Sequence, residues 1–420
     1  MKIAHLALPT LALWAITGVL VFSGAEFGYY FLLPPGYHAG PFLDFLAQVD
    51  GQFYKEIAES GYSYDEQTFS NVAFFPAFPL SARWLSRATG LGTVCSLLVV
   101  SNGCCLAAFL LMASYTRHRT RAWATAERVS KLKGTIDEAL LERQPAISSE
   151  VTTHTLLAMC LVPMTFFFRM PYSEAMFLAI AILTLYAIVL NWPLVVVAFF
   201  AGLATSVRPV AIALVLPVMW YAWVTSRSKW HAVGRFSYAV PLASWGLAAY
   251  MMFLYLRFGQ PLAFAHTQLN QHMRPPAASA DRVLSLLSWS PIYDAYNPAS
   301  PGYWRALHNS PSRIFSMQFF NPIYWVATVL LVAWGKWKRW MSAYEVLLSI
   351  PLLAIPYLTL GYEVRMNSQA RYATAVFPVY IVLGRIFARM PWVISVAIFA
   401  LFGFLLGVYT ALFVTDHAFL

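Results

Sequence analysis

Apolar runs dominate the chain. Hydrophobic stretches recur at 5–23, 92–115, 151–168, 172–191, 193–207, 209–225, 236–257, 319–334, 341–361, 372–389 and 391–415. A helix needs about 20 apolar residues to cross the hydrocarbon core of a bilayer. The pattern therefore predicts an all-α polytopic membrane protein with about eleven transmembrane helices, several of them short enough to be tilted, broken or re-entrant. Residues 193–225 read either as two spans or as one hairpin around Arg208 and Pro209. The first run, with Lys2 ahead of it and Ser23, Gly24 and Ala25 after it, has the outline of a signal peptide. The many spans that follow favour a retained first helix instead.

Between the runs lie the polar intervals 24–91, 116–150, 226–235, 258–318, 335–340 and 362–371. In the first, residues 43–60 carry Leu43, Leu46, Phe53, Tyr54 and Ile57 on one face at helical spacing, with Asp44, Gln48, Gln52, Lys55 and Glu59 on the other. That is an amphipathic helix lying on the membrane or against the bundle. Asp50 breaks the pattern, because it falls within the apolar stripe. A carboxylate facing inward needs a partner or a task. Gly51 beside it either permits a close approach or marks a break. Further on, Asn71 stands before an aromatic-proline run, Phe74-Phe75-Pro76-Ala77-Phe78-Pro79, which is expected to lie at the interface ahead of the span at 92.

Composition agrees with a membrane chain. Hydrophobic residues make up 60% and charged residues 11% of the 420 positions, where a soluble domain carries about 25% charged residues. The net charge of +10 is not the signature of a nucleic-acid binder, since the basic residues form short clusters between apolar runs rather than one patch. With Lys2 placed inside, the clusters Arg117–Arg143, Arg227–Arg235 and Lys336–Arg339 all fall on that side, as the positive-inside rule requires. The chain then reads as one membrane domain, 1–420. Its outer segments are 24–91, the first extracytoplasmic loop, and 258–318; 116–150 is cytoplasmic, a solvated connector or helical hairpin. The cysteines Cys95, Cys104, Cys105 and Cys160 lie in apolar runs and read as small buried residues. His266, His272 and His308 have no ligand spacing, so no metal is expected. There is no Gly-rich nucleotide loop.

Four motifs carry a resemblance. The first is Val49-Asp50-Gly51-Gln52-Phe53-Tyr54, followed by Ile57-Ala58, Gly61-Tyr62 and Phe74-Phe75-Pro76-Ala77-Phe78-Pro79-Leu80. The others are Pro171-Tyr172-Ser173-Glu174, Ser206-Val207-Arg208-Pro209, and Arg371-Tyr372 with Phe377-Pro378. In this order they resemble the PIG-V-type mannosyltransferases of the GT-C superfamily of membrane glycosyltransferases. Two departures stand out: the family usually has a tryptophan where this chain has Val49, and its Ser-Arg turn is shifted by one residue here.

The resemblance implies a GT-C-like fold and inverting transfer of a hexose, with mannose the family default. The donor would be a polyprenyl-phosphate sugar, and the acceptor a hydroxyl of a glycan, lipid or protein on the extracytoplasmic face. It assigns Asp50 as general base and Glu174 as a second catalytic carboxylate. Arg371, Arg208 and Arg365 become candidates for the donor phosphate, since a guanidinium clamps phosphate and keeps its charge; an ion pair from Arg371 to Glu363 is the bland alternative. Tyr54, Tyr62, Asn71, Tyr172 and Tyr372 become candidates for substrate contact. His266, His272, His308 and Arg274 are candidates for an acceptor-side cover. A prokaryotic cytoplasmic membrane is the expected location, with the endoplasmic reticulum as the alternative. A glycan ligase or polymerase, or a lipid flippase, is the competing function.

Overall fold

The computed structural model describes residues 4–33, 40–131, 138–270, 278–300, 303, 317–362 and 364–415, and among these there are helices and turns but no strand. Helix α1 is Ala4–Phe27, extended by one wider turn over Gly28–Leu32. Segment 24–91 goes on to form α2 (Phe42–Leu46), α3 (Asp50–Glu59) and α4 (Ala77–Thr89), and α5 (Thr93–Lys131) and α6 (Glu138–Leu161) follow. The middle of the chain gives α7 (Glu174–Val189), α8 (Leu194–Thr205), α9 (Val215–Val224), α10 (Lys229–Ala243) and α11 (Trp245–Phe258). Next come the short helices α12 (Ala263–His266), α13 (Ser279–Leu287) and α14 (Ser290–Asp294). The last group is α15 (Met317–Trp337), α16 (Ala343–Leu360), α17 (Gln369–Thr374), α18 (Pro378–Phe387) and α19 (Trp392–Val414).

Four described helices are long and apolar enough to cross a membrane: 7–32, 93–120, 343–360 and 392–414. The pair α10–α11, bent by 53°, makes a fifth if it is one span. The chain is thus an integral membrane protein by its helices, but several of the eleven runs are helices too short to cross alone. Proline and turn chemistry cut them. Pro163 and Pro209 each open a tighter 3-10 turn, at Pro163–Phe168 and Pro209–Leu214. Uniform hydrophobicity hides such breaks, because the residues on either side are equally apolar.

The expected basic loop at 226–235 is mostly helix. Ser228 caps α10 by accepting the His231 N–H at 3.1 Å, so the turn shrinks to the four residues Thr225–Ser228. The bend between α10 and α11 has two causes. Pro241 removes a backbone donor, and the chain kinks at Ser244 to seat Trp245 and Gly246 against α8. Ser206 and the Gly202 carbonyl leave no room for a side chain on Gly246. The Leu247 N–H finds the Thr205 hydroxyl at 3.0 Å, as a freed amide inside a bundle must. Segment 116–150, expected on the cytoplasmic side, is helical on both sides of residues 132–137.

Helix α1 packs on α19 through small residues. A side chain on Gly24 would meet the Gly407 carbonyl at 2.6 Å, and one on Gly28 would collide with the Ala411 backbone. This small-residue spacing lets two helices approach closely where lipid supplies no hydrophobic drive. On the other side of α1, Leu8, Ile16 and Val19 are exposed, as lipid-facing residues. Buried Arg169 then ties α1 to α5. It donates to the Thr17 hydroxyl at 2.8 Å, to the Asn102 amide oxygen at 3.1 Å and to the Trp14 carbonyl. Roughly 20 Å further along α5, buried Glu345 of α16 takes Arg119 at 3.0 and 3.1 Å and the Tyr115 hydroxyl at 2.6 Å. These two polar clamps fix α5 at two levels.

Candidate active site

The amphipathic segment 43–60 is two helices rather than one. The break falls at Ala47–Val49, and Val49 adopts φ 52° and ψ −110°. A β-branched residue there is strained by about 1–3 kcal/mol. The break makes Asp50 the first residue of α3 instead of a mid-helix intruder. The wet face is as expected: Lys55 pairs with Asp44 at 2.9 Å across the break, both partly exposed. The other face buries Gly51, Tyr54, Ile57 and Ala58. A side chain on Gly51 would reach Ala47 at 3.3 Å and the Tyr172 ring at 3.7 Å, so the close approach this glycine permits is to the Pro171-Tyr172 turn. Arg83 of α4 closes the far end of α3 by donating to the Ala58 carbonyl at 2.7 Å and to that of Ile57.

Each remaining motif delivers one charge to the same place. Glu174 opens α7, where a carboxylate is favourable at a helix N-terminus. Arg208 sits in extended backbone between α8 and the Pro209 turn. Arg371 lies in the short helix α17, started by Ser368 at φ 60°. Arg371 Nη2 stands 2.5 Å from Asp50 Oδ2, and its Nε donates to Glu174 Oε1. Arg208 Nη1 reaches that same Oε1 at 2.5 Å. Two carboxylates and two guanidiniums thus share one buried cluster whose formal charges cancel. Glu174 Oε2 is buried with no hydrogen-bond partner.

Aromatic rings wall the cluster. Arg371 Cζ is 4.7 Å from the Tyr172 ring, 5.3 Å from Phe167 and 5.8 Å from Tyr372. Arg208 Cζ is 5.6 Å from Tyr372. Such faces stabilise a desolvated cation by about 2 kcal/mol. The Tyr172 hydroxyl donates to the Gln48 carbonyl at 2.8 Å, which pins the chain within the break. The Tyr54 hydroxyl lies 2.7 Å from Ser173 Oγ. Burial pushes the Tyr54 phenol well above its ordinary pKa, although Arg208 pulls the other way. It therefore remains a neutral hydroxyl.

Tyr62 and Asn71 serve the loop rather than the cluster. Tyr62 donates to the Phe74 carbonyl at 2.9 Å and packs on Tyr250 and Phe253. The Asn71 amide accepts the Ser63 N–H and donates to Glu56, each at 2.9 Å, and to the Gly61 carbonyl at 3.2 Å. The aromatic-proline run then joins the Arg208 turn, with the Ala77 N–H on the Ser206 carbonyl at 3.0 Å. Arg365 is half-buried in the tight loop before α17, where it, Met366 and Ser368 all have positive φ. Glu363, His272, Arg274 and His308 lie outside the described residues, and His266 of α12 is exposed. Among the described residues, no group of three His, Cys, Asp or Glu side chains is placed to hold a metal ion. Ser173 and Phe167 went unnoticed in the sequence, although Ser173 lies inside a quoted motif; Phe167 carries no sequence signal beyond hydrophobicity.

No family model matches the sequence. No curated protein matches it either. Among solved structures, the chain is similar to the crystal structure of ArnT from Cupriavidus metallidurans bound to undecaprenyl phosphate, with a TM-score of 0.45 and 13% identity. The match covers 91% of this chain and 62% of that one, so this chain spans less than two thirds of the length of its structural neighbour.

Proposed function

We propose that the chain is an inverting membrane glycosyltransferase, which moves a hexose from a polyprenyl-phosphate donor to an acceptor hydroxyl at the extracytoplasmic face. The observation that carries this reading is the convergence of Asp50, Glu174, Arg208 and Arg371. They come from four separate motifs and join through ion pairs of 2.5 Å and a hydrogen bond. Each group suits one part of the reaction. Asp50, at the partly open edge, takes the proton of the acceptor hydroxyl as that oxygen attacks the anomeric carbon. The bond from that carbon to the phosphate oxygen breaks on the opposite face, which inverts the centre. Arg371, with Arg208 behind it, receives the charge that develops on the leaving polyprenyl phosphate. Glu174 holds both guanidiniums in place by a shared oxygen.

Mannose is the sugar we propose, on the motif resemblance. The acceptor is a hydroxyl of a glycan, lipid or protein. The basic clusters at 227–235 and 336–339 favour an outward-facing site, in a prokaryotic cytoplasmic membrane. A flippase would need the cations but no general base, so the position of Asp50 favours transfer over transport. The assay is direct: purified protein, a radiolabelled polyprenyl-phosphate mannose and a membrane extract, with Asp50→Asn in parallel. Label should pass to an acceptor with the wild type and fall by about 10²–10⁴-fold in the variant. No transfer by the wild type, or full transfer by the variant, would sink the proposal.

A further inference from the structure

The cluster is closed on itself, and that raises the question of how a phosphate enters it. Arg371 spends Nε on Glu174 and Nη2 on Asp50. Arg208 also points at Glu174. We infer that the Asp50 carboxylate occupies the anion subsite of the ligand-free chain, and that the donor phosphate displaces it from Arg371, so that donor binding frees the base. The inference rests on the proposed polyprenyl-phosphate donor.

Three observations carry it. The first is asymmetry of access. Glu174 and Arg371 side chains are 0% and 4% exposed, while Asp50 is 20% exposed. An anion arriving from outside meets the Asp50 edge of Arg371 and cannot reach the Glu174 edge. The second is charge. The two guanidiniums and two carboxylates already cancel, so a phosphate added to the intact cluster would set its charge beside Asp50 with no free cation. Exchange avoids that like-charge contact, and addition does not. The third is the backbone. Asp50 follows Val49, which is held at φ 52° and is 38% exposed. Its strain is compatible with an Asp50 that is held by Arg371 rather than by its own helix. Further along α3, Tyr54 is anchored on Ser173 and Ile57 is fully buried. A displacement is therefore confined to the first turn, and the carboxylate swings out toward the acceptor side without unseating the helix.

No covalent bond changes in this step. Arg371 keeps its protons and trades one oxygen acceptor for another. The consequence is an ordered reaction. Before the donor arrives, Asp50 is tied to a guanidinium and is a poor base for any hydroxyl, water included. Once the phosphate holds Arg371, Asp50 is released close to the anomeric carbon.

The test is binding rather than turnover, with the full-length protein in nanodiscs and a polyprenyl monophosphate without sugar as the probe. Asp50→Asn removes the internal competitor, so the probe should bind about tenfold more tightly than to wild type. Loss of a repelling charge alone would give the same sign, so a second variant separates the two. Val49→Gly relieves strain in the closed form without changing charge. It should weaken probe binding about threefold or more, because the closed pair is then harder to open. Tighter binding in D50N with weaker binding in V49G supports the exchange. Unchanged affinity in V49G, or equal or weaker affinity in D50N, overturns it. If neither wild type nor D50N binds the probe, the donor itself is wrong, and the failure lies with the proposed function.

Discussion

A guanidinium offers five N–H donors in one plane, and Arg371 uses two parts of that plane to bridge Glu174 and Asp50. Lysine is a single point of charge and cannot hold both partners. Arg371→Lys should therefore lose at least about 100-fold in kcat/KM with the protein still folded, as measured by initial rates and thermal unfolding together. An activity within a few-fold of wild type would remove Arg371 from the mechanism. Glu174 stands differently. It is fully buried and faces two cations, so Glu174→Gln leaves Arg208 without its carboxylate and Arg371 with Asp50 alone. The expected cost is about 3–5 kcal/mol of stability, visible as a clear fall in melting temperature along with activity. A variant that melts like wild type would mean the cluster does not depend on that carboxylate. Sequence reading reached these residues through their motifs and through their shared side of the membrane. It did not reach the pairing, because nothing in Pro-Tyr-Ser-Glu says that its carboxylate serves the arginine of a motif 197 residues later. Nor did it reach the loop bonds of Tyr62 and Asn71, which join Phe74, Ser63 and Glu56.

At the level of the helices, hydrophobic periodicity located most elements but misjudged their lengths. The apolar–polar faces of 43–60 were legible, whereas the break at Val49 was not. Positive φ at a β-branched residue is imposed by tertiary contacts, here Tyr172 on Gln48 and Arg371 on Asp50, and no local propensity announces it. Similarly, Pro209 signalled a turn, but whether 193–225 formed two spans or a hairpin depended on packing against α10 and α11. The helix ends yield a test of their own. Arg83 donates to two terminal carbonyls of α3, so Arg83→Ala should loosen that end by about 1–3 kcal/mol. Hydrogen exchange would show it as faster exchange in residues 54–60 with little change in α5. Equal exchange in both proteins would show that α3 holds its end without the arginine.

The charge tally makes a claim about the entire chain, namely that the cluster and the basic turns lie on opposite sides of the bilayer. With the four native cysteines replaced, Thr68→Cys should react with a membrane-impermeant thiol reagent on intact cells, and Ser228→Cys only after permeabilisation. Both residues are in short turns at the protein surface, so access is set by the membrane. The reverse pattern would invert the orientation and move the proposed chemistry to the cytoplasm.

The seam between α1 and α19 adds a consequence for biogenesis. The glycine-lined face of α1 has its partner, around Gly407 and Ala411, nearly a whole chain length away. The same α19 backs the Pro171-Tyr172 turn, because Phe413 packs on Phe166, Phe167 and Tyr172. During synthesis α1 enters the bilayer with that face unpartnered, and it stays so until α19 leaves the translocon. The wall behind Arg371 is therefore completed only then. A chain stalled or clipped before residue 392 would carry all four charged motifs, yet would present an open slot to lipid and to membrane proteases.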